Sequence, residues 1–166
     1  MDAKQFEDLL HELGACSSAV EWAHGKTLHV VWNTCNRGDW LLWLVGKMAD
    51  KNGWPTRKQL VLAACACAEQ ALKYVPKGED RPKKAIQTAR AWARGKATIK
   101  EVRNAAYAAY AAAYAAANAA YASYAADSAD YATDRTKALA ESANIVQKLI
   151  KEPKLTVSLP TAKATQ

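Results

Sequence analysis

Apolar positions in the first fifty residues recur at three- and four-residue spacing, in short runs cut by glycines and capping residues. That spacing predicts helices. Phe6, Leu9, Leu10 and Leu13 mark one face of a helix over residues 2–13, with Gly14 as its stop. Ser17 or Ser18 is placed to cap a second, short helix through Trp22 that ends by Gly25, and Thr27 to open a third through Trp32. "NRGDWLLWLVGKMAD" predicts a fourth, with Asp39 as N-cap and Trp40, Leu41, Trp43, Leu44 and Met48 on its buried side. "NGWPT" reads as a turn. From Thr56, "TRKQLVLAACACAEQALKYV" predicts an apolar helix of about five turns, the expected centre of the fold. "PKGEDRP" breaks it, and "RPKKAIQTARAWARG" predicts a further helix ending at Gly95. Its Ala85, Ala89 and Trp92 are expected to point inward, and Lys83, Gln87, Arg90 and Arg94 outward. No βαβ alternation or strand ladder is present, so the expected class is all-α.

The pattern changes after "TIKE", Thr98 to Glu101, which reads as a capping box. Residues 104–132 are written almost wholly in alanine and tyrosine, with Tyr107, Tyr110, Tyr114, Tyr121, Tyr124 and Tyr131 on one alternating three-and-four stripe. Alanine is the strongest helix former. An unbroken helix from Thr98 to Glu152 would run roughly 80 Å, against a radius of gyration of about 15 Å for a compact chain of this length. The segment is therefore expected to fold back or to mediate contacts between copies, with Asn118 and "SYAADSAD" as weak points. Tyrosines at this spacing suit a packing seam. Their hydroxyls each need a partner when buried, which suits a wet cleft better. Leu139, Ile145, Val146, Leu149 and Ile150 then restore an apolar face before Pro153. The expected organisation is one helical domain over 1–152, made of Trp-rich short helices (1–55), a central helical pair (56–95) and the Ala/Tyr-rich segment (98–152). A loosely ordered tail, 153–166, follows, in which "KLTVSL" could form a short extended piece.

Charge adds a direction to this picture. The net +7 is regional: residues 1–50 hold 4 basic and 7 acidic side chains, and residues 51–103 hold 13 basic and 4 acidic, a local +9. Such a patch points to an anionic partner more readily than an even surplus would. "MDAKQFEDLLHELG" is acidic and amphipathic, unlike a signal peptide, and no run reaches membrane-spanning length, so a cytoplasmic protein without a membrane partner is expected. Cys16, Cys35, Cys65 and Cys67 fit no zinc or redox spacing and are expected to be reduced core residues.

Catalytic chemistry leaves no trace in these patterns. His11, His24 and His29 are not spaced with Cys, Asp or Glu as metal ligands, and "CAC" sends Cys65 and Cys67 to different sides of a helix. There is no glycine-rich phosphate loop and no nucleophile elbow. The expectation is a non-enzyme with no cofactor and no metal. Binding is better supplied: Arg81, Lys84, Arg90, Arg94 and Arg103 supply cations, and Arg103 precedes Tyr107, Tyr110 and Tyr114 on the same stripe. Guanidinium beside phenol suits a phosphate carrying a base or ribose. The competing expectation is that Arg90 and Arg94 pair with acids of a neighbouring helix. Trp40 and Trp92 are expected to anchor the core, and Arg37 and Asp39 to form a cap and its ion pair.

Taken together, "CNRGDWLLWL", "LVLAACACAEQAL" and "DRPKKAIQTARAWARGKAT", followed by the alanine-rich run, resemble the Imm5-like immunity proteins of bacteria and phages, over roughly Ala15 to Leu149. The "RGDW" turn and the "RP…A…ARAWARG" helix are the most specific parts. The resemblance implies a small helical protein that neutralises a toxin by binding, with no catalysis and no cofactor. Phage-borne relatives imply a second role, counter-defence by sequestering a nucleotide-derived signal. The leading expectation is capture of an anionic, nucleotide-like small molecule by Arg81, Lys84, Arg90, Arg94, Arg103, Tyr107, Tyr110 and Tyr114. The alternative is a toxin or effector protein bound through a protein interface. A nucleic-acid backbone would need a longer basic stripe, and close alanine packing favours a homo-oligomer.

Overall fold

Gly38 sits where two helices meet more closely than side chains allow. A Cβ built on it would lie 2.4 Å from the Ser142 Cβ and 2.6 Å from the Ala143 backbone nitrogen. This contact joins the N-terminal half of the chain to the last described helix in a computed structural model that describes residues 1–75, 77–108 and 128–153, with side chains except those of Tyr74 and 128–134.

The elements are α1 (Ala3–Glu12), α2 (Ser17–Ala23), α3 (Leu28–Thr34), α4 (Gly38–Met48), α5 (Arg57–Glu69), a 3₁₀ turn (Gln70–Tyr74), α6 (Arg81–Ala93), α7 (99–108) and α8 (Ser128–Leu149). The described residues are all-α, and the described part of the Ala/Tyr segment beyond 127 lies against the body as α8, packed on α4 and α5. Where that segment turns, and how Tyr110, Tyr114, Tyr121 and Tyr124 are placed, lies outside the described residues. The same holds for the Asn118 weak point, the Tyr131 side chain and residues 154–166.

Local chemistry explains most boundaries. Asp2 and Gln5 form a reciprocal capping box at the start of α1, and Thr56 and Gln59 form another at α5. The Thr27 hydroxyl accepts from the Val30 N–H at 3.3 Å and caps α3. Helices α1 and α6 both end in a left-handed glycine, Gly14 and Gly95, with N–H groups reaching back to the last turn: Ala15 to Leu10 at 2.9 Å and Lys96 to Ala91 at 2.7 Å.

Several expectations are corrected. Asp39 does not cap α4; Arg37 occupies the cap position, and Asp39 lies in the first turn with its carboxylate clamped by the Arg37 guanidinium at 2.6 and 2.8 Å. The helix opens at Gly38, so Asp39 stands inside the first turn, where the Trp40 N–H also helps to hold its carboxylate ionised. The same guanidinium lies 4.3 Å from the Trp40 ring, and Trp40 packs against Trp22 with centroids 6.0 Å apart. "RGDW" is thus one stacked unit. At α2 the cap position is Cys16, which makes no side-chain cap bond, in place of either serine. The long fifth helix stops at Glu69 and tightens into the 3₁₀ turn.

Helix α5 is central by neighbours, since it packs against α4, α6 and α8. It gives the core only Ala63 and Cys65 as fully buried side chains. The apolar mass comes from elsewhere: Phe6, Leu9 and Leu10 of α1, Val31 and Trp32 of α3, and Leu41, Leu44, Val45 and Met48 of α4, closed by Ala143, Val146 and Ile150 from α8 and its end. The Gln147 amide of α8 also donates to the carbonyls of Trp32 at 2.6 Å and Cys35 at 3.2 Å, satisfying the end of α3. Cys65 and Cys67 diverge as expected. The Cys65 thiol donates to the Ile86 carbonyl on α6, and the Cys67 thiol to the Ser142 carbonyl on α8. Burial pushes the thiols of Cys35, Cys65 and Cys67 up, whereas Cys16 is exposed and so stands outside the expected core set.

Candidate partner-binding face

The left-handed turn at Gly95 and the capping box at Thr98 place two helix ends side by side in sequence and redirect the chain between them. Thr98 and Glu101 exchange bonds as the "TIKE" pattern predicts: the Thr98 N–H donates to the Glu101 carboxylate at 2.7 Å, and the Glu101 N–H to the Thr98 hydroxyl at 3.3 Å. The Thr98 backbone and hydroxyl donors hold the Glu101 carboxyl below its usual range. Helix α7 therefore starts at a defined residue, and its faces follow. Val102 and Ala105 are half-buried on one side. Ile99, Lys100, Arg103 and Tyr107 share an arc of about 100° on the other and are exposed. Ile99 is 57% exposed and Tyr107 69%, high values for an aliphatic and an aromatic side chain.

The candidate cations divide into two groups. Arg81 is engaged by Glu79, through its Nε at 2.7 Å and through its terminal nitrogen, while its backbone N–H donates at 3.0 Å. Those donors, led by the guanidinium, hold the Glu79 carboxyl down to about 2, with the Lys84 charge nearby adding a little. Arg90 turns from the outward row expected for it and grips Glu69 of α5 in a two-point pair, one arm at 2.8 Å. This matches the alternative of an acid on a neighbouring helix. Lys84, Arg94 and Arg103 are exposed and in no ion pair among the described residues. Arg94 forms the cap position of α6 and Arg103 stands on α7, so the structure keeps Arg94, Lys96, Lys100, Arg103 and Tyr107 on the α6–α7 corner. Tyr110 and Tyr114 lie outside the described residues.

Two hollows were not legible in the sequence. A cleft of about 320 Å³ separates α5 and its 3₁₀ turn from α8, lined by Cys67, Gln70, Ala71, Lys73, Lys137, Ala138, Glu141 and Ser142. A smaller apolar hollow of about 30 Å³ lies among Phe6, Leu10, Trp22, Trp40 and Trp43. Among the described residues no group of three or more His, Cys, Asp or Glu could hold a metal ion, and no helix is long and apolar enough to cross a membrane.

The described chain is an all-α module whose most distinctive surface is a basic corner carrying an exposed isoleucine and tyrosine. Residues 54–146, from the end of the Trp-rich region through most of α8, match the family described as Imm-5 like putative immunity protein. The chain belongs to that family, and the match includes the whole basic corner; the "RGDW" turn lies before it. No curated protein and no solved structure matches the chain.

Proposed function

We propose that the protein acts in immunity by stoichiometric binding, without catalysis, and that the α6–α7 corner is the surface that meets its partner, a toxin or other effector protein with an acidic patch. The observation that carries this reading is the arc of Ile99, Lys100, Arg103 and Tyr107, with Arg94 and Lys96 beside it. Exposed tyrosine, arginine and aliphatic side chains in one place are the ordinary make-up of a protein-binding hot spot, and surrounding lysines steer an acidic partner. Membership of the immunity family supports the same direction.

One observation favours a second reading. Arg103 and Tyr107 stand one helical turn apart on the same face, so a guanidinium and a phenol ring could clasp an anionic nucleotide-derived signal.

The test is affinity capture of the tagged full chain from cells carrying its neighbouring genes, beside the Arg103→Glu and Tyr107→Ala variants. A specific co-purifying protein should be lost in both variants, each costing about 2 kcal/mol or roughly 30-fold in Kd. Retention of that protein at full strength by both variants overturns the assignment of the face. Native mass spectrometry of the parent beside the Arg103→Glu variant reads the second mode, as a nucleotide retained by the parent and lost from the variant.

A further inference from the structure

The cleft between α5 and α8 is lined by side chains of two kinds. Small ones come from both walls: Cys67 and Ala71 from one, Ala138 and Ser142 from the other, with both alanines open to solvent. Long polar ones join them, Gln70 and Lys73 from one wall and Lys137 and Glu141 from the other. The walls are fixed at one height, where Cys67 is tied to the Ser142 carbonyl at 3.6 Å and Gly38 lets α4 approach α8 closely at Ser142 and Ala143. Beside that point the alanines leave open a gap that larger residues would fill.

We propose that this slot is a binding site for a small organic anion of about mononucleotide size, distinct from the α6–α7 corner. Its volume, about 320 Å³, falls at the lower end of ordinary ligand pockets, about 300–1,000 Å³. A flat or aliphatic body lies over Ala71 and Ala138, and a phosphate or carboxylate is met by the ammonium groups of Lys73 and Lys137. Glu141 is the one carboxylate in the lining; it offers an acceptor for a hydroxyl or amino group on the ligand, and it restricts the anionic end to the lysine side. Polar neutral contact comes from the Gln70 amide. Because thiol, methyl and Ser142 groups line the slot beside the lysines, bare phosphate would leave that part of it empty. An anion with a carbon body is therefore preferred over the free ion.

The experiment is calorimetric titration of the full chain with adenosine monophosphate and, separately, with inorganic phosphate. The expected result is saturable 1:1 binding of the nucleotide, with phosphate at least about tenfold weaker, a gap of about 1.4 kcal/mol. Lys73→Gln with Lys137→Gln should weaken the nucleotide about tenfold or more, and Ala138→Leu should block it by filling the slot. Lys73 already interacts within the fold, so the thermal midpoint of each variant is measured beside the titration, and Lys137→Gln alone, at an exposed site, should weaken the nucleotide with its midpoint unchanged. Arg103→Glu separates this slot from the Arg103–Tyr107 clasp: nucleotide binding lost in that variant belongs to the α6–α7 corner and overturns the proposal. No saturation at millimolar nucleotide overturns the proposal, and so does equal affinity for phosphate or binding that survives the double lysine variant.

Discussion

Replacing Gly38 by alanine adds one methyl group at the seam between α4 and α8. The new carbon would sit 2.4 Å from the Ser142 Cβ, 2.6 Å from the Ser142 carbonyl carbon and 2.6 Å from the Ala143 nitrogen. Carbon atoms rest at about 3.5–4.0 Å, so the helices must part by more than about 1 Å. Two of the three obstacles are backbone, which no rotamer change can move. Parting the seam loosens Leu41 and Val45 from Ala143 and Val146, all nearly inaccessible to solvent. Overpacking of this kind costs about 1–3 kcal/mol, and backbone obstruction places it at the upper end. Alanine recovers less than about 1 kcal/mol through helix propensity, since Gly38 is the first residue of α4. The expected net loss is about 2–3 kcal/mol, a lowering of the thermal midpoint by roughly 5–10 °C for a domain of this size. Urea unfolding should give the same loss with an unchanged slope. Ser142→Gly in the Gly38→Ala background should restore part of it, because one obstacle is the serine Cβ. A Gly38→Ala protein as stable as the parent would refute the close approach of α4 and α8.

Gln147→Leu removes the donor shared by the Trp32 and Cys35 carbonyls and should cost about 1–3 kcal/mol in urea unfolding, with Leu149→Ser, at an exposed site, as a near-neutral control. Arg37 holds the Asp39 carboxyl below its usual range, so the stability it contributes is present above the unfolded value of about 3.9 and is lost as pH falls through the lower folded value. Asp39→Asn should therefore narrow the difference between thermal midpoints at pH 6 and pH 3; because the carboxylate is 43% exposed, the effect is expected to be modest. Brief iodoacetamide treatment of the native protein should label Cys16 and spare Cys35 and Cys65, read by peptide mass spectrometry, and equal labelling of these three would contradict the burial of the latter two.

Much of the fold could be read where a residue acts on its own neighbourhood. Thr56, Thr98, Gly14 and Gly95 end or begin helices through bonds spanning three to six residues, and each is found where its pattern placed it. The divergence of Cys65 and Cys67 follows from helix geometry alone. Readings failed where a distant or competing group intervened. Asp39 has the right chemistry for a cap, yet the helix opens one residue before it, at Gly38, which packs against α8. Arg90 falls on the outward row of α6, but Glu69, 21 positions earlier, draws it inward. Of the candidate site, Lys84, Arg94, Arg103 and Tyr107 are exposed as a partner surface needs; helical spacing placed Arg94 on the outward row, whereas it suited Tyr107 to a packing seam. The cleft was not, because Lys73 and Lys137 become neighbours only through the pairing of α5 with α8. No local rule sets that pairing. Nor does "RGDW" reveal in sequence that its glycine faces Ser142.

The closure of the core by α8 bears on when the protein can fold during its synthesis. Phe6, Trp32, Leu41 and Val45 are made early, whereas Ala143, Val146 and Ile150, which cover them, leave the ribosome last among the core residues. At usual elongation rates the stretch from Trp54 to Ile150 takes roughly 5–20 s, during which the tryptophan-rich helices stand with one side uncovered. The nascent N-terminal half thus keeps an uncovered apolar side until α8 emerges and the Gly38 seam shuts.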